Sequence, residues 1–152
     1  MSSRSRAFAF VSDAVVMARF ALDCSQKMMS LTHDLVASLG PETADLGLRI
    51  GLNSGPCTAG VLRGERARFQ LFGNTINVAA RMESNGVRER IQASQTTADC
   101  LISAGKGHWV EAREDLVEAK GKGAMQTYWI TPKRSAGTAT IKTDNEHEHE
   151  SL

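Results

Sequence analysis

The order of periodicities in this sequence predicts an α+β fold, with helices on one face of a mainly antiparallel sheet. Three observations carry the prediction. Residues 13–39 show an apolar stripe at helical spacing, and Leu46, Leu48, Ile50 and Leu52 alternate as in a half-buried strand. After them, short helical and strand-like segments follow one another between glycines. A chain of 152 residues suits one domain with its own core, and no internal repeat is visible.

The elements follow in order. "MSSRSRAFAF" is rich in Ser and Arg, with no acid before Asp13. It weakly resembles a transit peptide, and the reading taken for residues 1–12 is a short strand or ragged N-terminus. Met17, Phe20, Cys24, Met28, Leu31 and Leu35 then recur at intervals of three and four along one amphipathic helix. Asp13 is placed to cap its start, and Gly40-Pro41 ends it. The Met-rich stripe suits a partner-binding groove or core packing; core packing is the reading taken.

Gly55-Pro56 closes the first strand, "CTAGVL" at 57–62 predicts a second, and "FQLF" at 69–72 a third. Between them "RGERAR" reads as a solvated hairpin tip. A helix is expected from about Thr75 to Asn85, ended by Gly86, followed by a short strand near "RIQA". Ser94 caps a helix "QTTADCLISA" that stops at Gly105. Residues 108–119 and 125–131 predict strands flanking "KGKG". Residues 13–132 thus form the domain, and 133–152 a disordered polar tail. His147 and His149 lie in that tail's acidic run, where solvation is preferred over metal binding.

Composition excludes several classes of function. A net charge of +1 gives no electrostatic pull toward nucleic acid or an anionic membrane. Aromatic residues make up only 5%, too few for a base-stacking surface. The three cysteines, Cys24, Cys57 and Cys100, are far apart and form no CxxC pair. Neither a zinc site nor a disulfide framework is indicated, and a reducing intracellular setting fits. No apolar run reaches the roughly 18 residues of a membrane span.

One stretch points to chemistry. In "FGNTINVAARMESNG", Asn77 and Arg81 stand four residues apart on one helix, so an amide and a guanidinium share a face. Alone, such a pair grips a ligand or merely faces water. The longer run "LRIGLNSGPCTAGVLRGERARFQLFGNTINVAARMESNG", followed by "VEAKGKGAMQTYWI", resembles the C-terminal half of the catalytic domain of class III nucleotidyl cyclases. It is closest in texture to eukaryotic guanylyl cyclases. The resemblance covers about residues 14–131 with several motifs in order, which is far more specific than a lone glycine-rich loop.

That resemblance implies a ferredoxin-like cyclase domain lacking its N-terminal strands, and a lyase reaction in cyclic-nucleotide signalling. GTP would become 3′,5′-cyclic GMP and pyrophosphate; ATP and an adenylate cyclase are the alternative, as is a catalytically dead subunit regulating a complete cyclase. By resemblance Arg81 stabilises the transition-state phosphate, Asn77 holds the ribose, and Lys120 binds the triphosphate. Gln70 stands where guanylyl cyclases place Cys and adenylyl cyclases Asp, and its amide can meet either purine edge. Asn74 replaces the family's Asp, removing a charge beside the purine or changing a helix cap. The family's Mg²⁺ or Mn²⁺ is held by two aspartates in motifs that this sequence does not contain, so no metal ligand is assigned. The expected partner is a second cyclase domain, head to tail, with each site shared between subunits. The expected location is cytoplasmic, alone or as the intracellular part of a receptor cyclase.

Overall fold

The computed structural model describes residues 3–63, 66–119 and 123–131, and their side chains except those of 3–10 and 119. Lys120, Lys122 and the predicted tail from 133, with His147 and His149, lie outside the described residues. Helix α1 runs Ser3–Leu39, and a 3₁₀ turn at Pro41–Asp45 leads to β1, Ile50–Leu52. Strands β2 (Thr58–Leu62) and β3 (Arg68–Phe72) are followed by α2 (Asn74–Ser84), β4 (Ile91–Ser94) and α3 (Gln95–Ser103). A 3₁₀ turn at Gly107–Trp109 precedes β5 (Val110–Ala112), β6 (Val117–Ala119), β7 (Gly123–Met125) and β8 (Thr127–Ile130).

The central sheet has four strands in the order β1-β4-β8-β5. Its β1–β4 pair is parallel, and β8 is antiparallel to both β4 and β5. Two antiparallel hairpins, β2–β3 and β6–β7, complete the strands. Successive residues of a strand face opposite sides, and β4 shows what each side meets. Ile91 and Ala93 pack with Ala18 and Ala21 of α1, Leu101 of α3 and Ile130 of β8. Gln92, between them, faces the other way toward Met82 of α2. The expected single helical face therefore holds for α1 and α3, while α2 takes the opposite side.

What brings α2 so close is a missing side chain. A Cβ on Gly51 of β1 would collide with the α2 backbone at Glu83 N, 2.6 Å from Met82 C and 2.7 Å from Ala79 O. Val78 and Met82 are buried beneath the helix, and Arg49 Nη2 reaches Glu83 Oε1 at 2.9 Å. Ser94 caps α3 as predicted, its Oγ accepting the Thr97 N–H at 3.4 Å. Gly105, at φ +73°, ends that helical segment.

Three sequence expectations are corrected. Residues 3–12 continue α1 instead of forming a ragged N-terminus or short strand, because no Gly or Pro interrupts the run, and Asp13 lies within the helix, not at its cap. The buried stripe of α1 is Ala14, Ala18 and Ala21. Met17, Phe20 and Leu31, expected in the core, are 50%, 60% and 41% exposed; the alanines let α1 approach the sheet closely and turn the larger side chains aside. The strand expected at 108–119 is broken into a 3₁₀ turn, β5 and β6: the Arg113 N–H still donates to Thr127 O of β8 at 2.9 Å, and the chain then bends at Glu114–Asp115.

Candidate functional site

Helix α2 presents three different sides. Val78 and Met82 face the sheet, as described above. Thr75, Ile76 and Ala79 line a cleft of about 350 Å³, shared with Asp13, Asn53, Ser54, Cys57 and others. Asn74, Asn77 and Arg81 lie at spacings of three and four, which puts them together on the remaining outward side. Asn74 and Asn77 are exposed and Arg81 is half-buried. The structure therefore brings these three predicted residues together.

Gln70 sits on β3, opposite Gly60 of β2, with its side chain exposed. β3 ends at Phe72, and only Gly73, at φ +127°, separates it from α2. That left-handed conformation favours glycine and swings the chain directly from strand to helix. Gly73 is also the N-cap, with no side-chain capping bond, so Asn74 is the first helical residue and not the cap. The capping alternative for Asn74 is thereby set aside.

Arg81 carries an unusual burden. Its Nη1 is buried with no hydrogen-bond partner among the described residues. A guanidinium is always charged and offers five N–H donors, and leaving one buried and unpaired is costly. The helix end behind it is held firmly. Asn85 Nδ2 donates to Arg81 O at 3.0 Å, and Arg113 Nη1 donates to Asn85 O at 3.0 Å and Gln92 Oε1 at 3.1 Å. Trp129 stacks near the guanidinium carbons of Arg90 and Arg113, at 4.2 and 5.0 Å from its ring centre.

The helix start is pinned as well. Asn53 Nδ2 donates to Thr75 O at 2.9 Å, and Thr75 Oγ1 donates to Pro56 O at 2.6 Å. Asn53 Oδ1 accepts from Ser94 Oγ at 2.6 Å and Thr96 Oγ1 at 3.0 Å, and Ser54 and Thr97 hydroxyls meet at 3.0 Å. This network ties the ends of β1 and β4 to the starts of α2 and α3. Sequence reasoning missed both it and Arg113. The Ser/Thr cluster "SQTTAD" was a signal for the first; nothing local signalled the second, whose partners are 21 and 28 residues away.

Metal fit can be tested on the donor set. Among the described residues no three His, Cys, Asp or Glu side chains converge, and Asp13 is the one acid lining the 350 Å³ cleft. The described residues thus do not fit a divalent metal site. Among the thiols, burial and then the neighbouring Asp99 charge push Cys100 above its ordinary pKa.

Residues 6–132 match the family described as the adenylate and guanylate cyclase catalytic domain. The chain belongs to that family. It is 48% identical over 86 residues to mouse guanylate cyclase D, covering 57% of this chain and 8% of that protein. Against human retinal guanylyl cyclase 1 it is 46% identical over 115 residues, or 71% of this chain and 10% of the relative. The solved guanylate cyclase domain of RhGC from Catenaria anguillulae, in complex with GTP, superposes at a TM-score of 0.62. Identity to it is 36%, over 80% of this chain and 60% of that one. The chain thus spans a tenth or less of these curated relatives' length. The mixed α+β architecture is that of the cyclase catalytic fold. Among the described residues no helix is long and apolar enough to cross a membrane.

Proposed function

We propose that this cyclase-family chain supplies the transition-state half of a guanylate-cyclase-type site in intracellular cyclic-nucleotide signalling. The observation that carries the proposal is Arg81 Nη1, buried and unpartnered, on the same outward side of α2 as Asn77. A buried cationic donor kept free of internal partners is suited to an anionic ligand arriving from outside the chain. The guanylate cyclases among its relatives favour GTP over ATP as substrate.

The chemistry expected at such a site follows from the residues. The ribose 3′-hydroxyl of GTP loses its proton to solvent as its oxygen attacks the α-phosphorus in line, the bond from the α-phosphorus to the α,β-bridging oxygen breaks, and pyrophosphate leaves. Negative charge accumulates on the transferring phosphoryl oxygens. Arg81 neutralises that charge through its free N–H donors, and Asn77 holds the ribose so that its 3′-oxygen is in line. Gln70 meets the purine edge, with Asn74 one Gly-hinged turn beyond it. Lys120 takes the triphosphate. The ligands of any divalent metal would come from the second cyclase domain, docked head to tail, and not from the described residues of this chain.

A second reading, a regulatory subunit without activity, is favoured by the absence of an acid cluster among the described residues. One assay separates the two. The chain is supplied with Mn²⁺ and GTP or ATP, alone and mixed with a complete cyclase domain whose matching arginine is alanine. The expected result is silence alone and cyclic GMP from the mixture, lost by about two to three decades with Arg81→Ala. A silent mixture, with association demonstrated, would favour the regulatory reading. Production of cyclic AMP instead would reassign the substrate.

A further inference from the structure

Arg113, which sequence reasoning missed, is fixed from several sides. Its N–H donates to Thr127 O of β8 at 2.9 Å, and Gln126 Nε2 donates to its carbonyl at 2.8 Å. Its guanidinium carbon stands 5.0 Å from the centre of the Trp129 ring. From that seat Nη1 reaches the end of α2, donating to Asn85 O at 3.0 Å and to Oε1 of the buried Gln92 at 3.1 Å. Lysine could not reproduce this: its amine ends one bond short of Nη1, and it lacks the planar group that stacks on an indole.

Asn85 is the C-cap of α2, where a helix is weakest. The last carbonyls of a helix have no partner within it, so the final turn depends on groups from elsewhere. Here Asn85 O takes one from Arg113, whose positive charge also suits the negative pole of the helix. Asn85 closes the turn back on Arg81, since its backbone N–H and its Nδ2 both donate to Arg81 O, each at 3.0 Å. Arg113 therefore reaches Arg81 through a single intermediary. Arg81 is in the last turn of α2, with Nη1 buried and unpartnered among the described residues. Lacking an anchor at that nitrogen, the guanidinium takes its direction from the turn that carries it.

We propose that Arg113 is a positioning residue for Arg81, clamping the last turn of α2 so that the guanidinium stays aimed at the transferring phosphoryl group. The inference rests on the catalytic reading of Arg81. Arg113 touches no substrate; it acts through Asn85. A guanidinium on a loose turn spends part of its time out of place, and a misplacement of about 1 Å costs up to about a hundredfold in rate. The clamp thus bears on turnover more than on the binding of GTP.

The test uses the full chain, isotopically labelled, unchanged and as Arg113→Lys, with hydrogen exchange followed by NMR. Exchange of the Asn85 amide and of the Arg81 Nε–H is expected to quicken at least about tenfold in Arg113→Lys, with the Val78 amide in mid-helix within about twofold. Arg90→Ala removes the other guanidinium on Trp129 and should change neither. Arg113→Met, which keeps a stem on Trp129 and removes every donor, repeats the test where the lysine variant does not fold. In the mixture with a complete cyclase domain whose matching arginine is alanine, Arg113→Lys should lower kcat about tenfold and leave KM for GTP within about twofold. In chains already carrying Arg81→Ala it should have no further effect, because both act through one group. The proposal is overturned by unchanged exchange at Asn85 and Arg81, by equal quickening at Val78, by the same loss in Arg90→Ala, or by additive losses in the double variant. Unchanged kcat in an active mixture overturns the proposal alone. A mixture silent with Arg113 intact overturns the catalytic reading, and this use of the clamp with it.

Discussion

Strands β3 and β4 make an instructive pair. β4, "IQAS", contains two polar residues in four, and every residue is buried. β3, "RFQLF", contains three large apolar residues in five, and every residue is exposed, Phe69 by 68%. Hydrophobicity alone would have ordered them the other way. What decides is position: β4 lies between β1 and β8, with α1 and α3 above it and α2 below. β3 pairs with β2 only, in a hairpin that projects from the start of α2. Gln92 is tolerated inside because Arg113 Nη1 bonds its Oε1 at 3.1 Å. The lesson is that in a small α+β domain the satisfied polar group belongs to the core, and the bare apolar arm belongs to the surface.

Four substitutions or conditions can break or sharpen that contrast. The largest effect is expected from Gly51→Ala beneath α2, where the added methyl meets backbone that cannot rotate away; urea unfolding should show a loss of at least about 3 kcal/mol. A loss under about 1 kcal/mol would mean that α2 lifts easily and that the β4 side is less tightly packed than described. Ser94→Ala removes the α3 cap and one of the two hydroxyls on Asn53 Oδ1, for an expected cost of about 1–2 kcal/mol. On the exposed arm, Phe69→Ser should leave the unfolding free energy of the isolated chain within about 0.5 kcal/mol. A large loss there would show that β3 is covered after all.

The smallest effect concerns pH. Because Cys100 has its pKa raised in the folded state by burial and by Asp99, the unfolded chain loses that thiol proton first as pH rises. Folded stability from this group is complete below the ordinary cysteine range of about 8.5. It is lost as pH climbs from there through the raised folded value. Denaturant midpoints should therefore drift down in that window, and Cys100→Ser should flatten the drift.

Much of this architecture was legible in the sequence, and the failures share a cause. Strands β2 and β3, helix α2, and the Ser94 cap were placed within a residue or two, because turn glycines and local capping chemistry are near-neighbour signals. Asn74, Asn77 and Arg81 came out on one side of α2 because their spacing fixes it. The errors depend on what lies across the fold. Helical periodicity identified α1 but chose Met17 and Phe20 for the core, when the alanine stripe packs closer against the sheet. Residues 108–119 alternate like one strand, yet the chain bends at Glu114–Asp115, just after Arg113, whose side chain reaches across to Asn85 and Gln92. No local pattern announces a partner more than 20 residues away.

Gly51 has a mechanical consequence as well as a steric one. Most helices rest on a sheet through side chains, whose rotamers act as springs and absorb small shifts. Here the α2 backbone sits almost directly on the backbone of β1, with Arg49–Glu83 as a strut at one end and Asn53–Thr75 as a strut at the other. Strand and helix are expected to move together. A displacement of β1 is carried to the helix that bears Asn77 and Arg81 instead of being damped on the way.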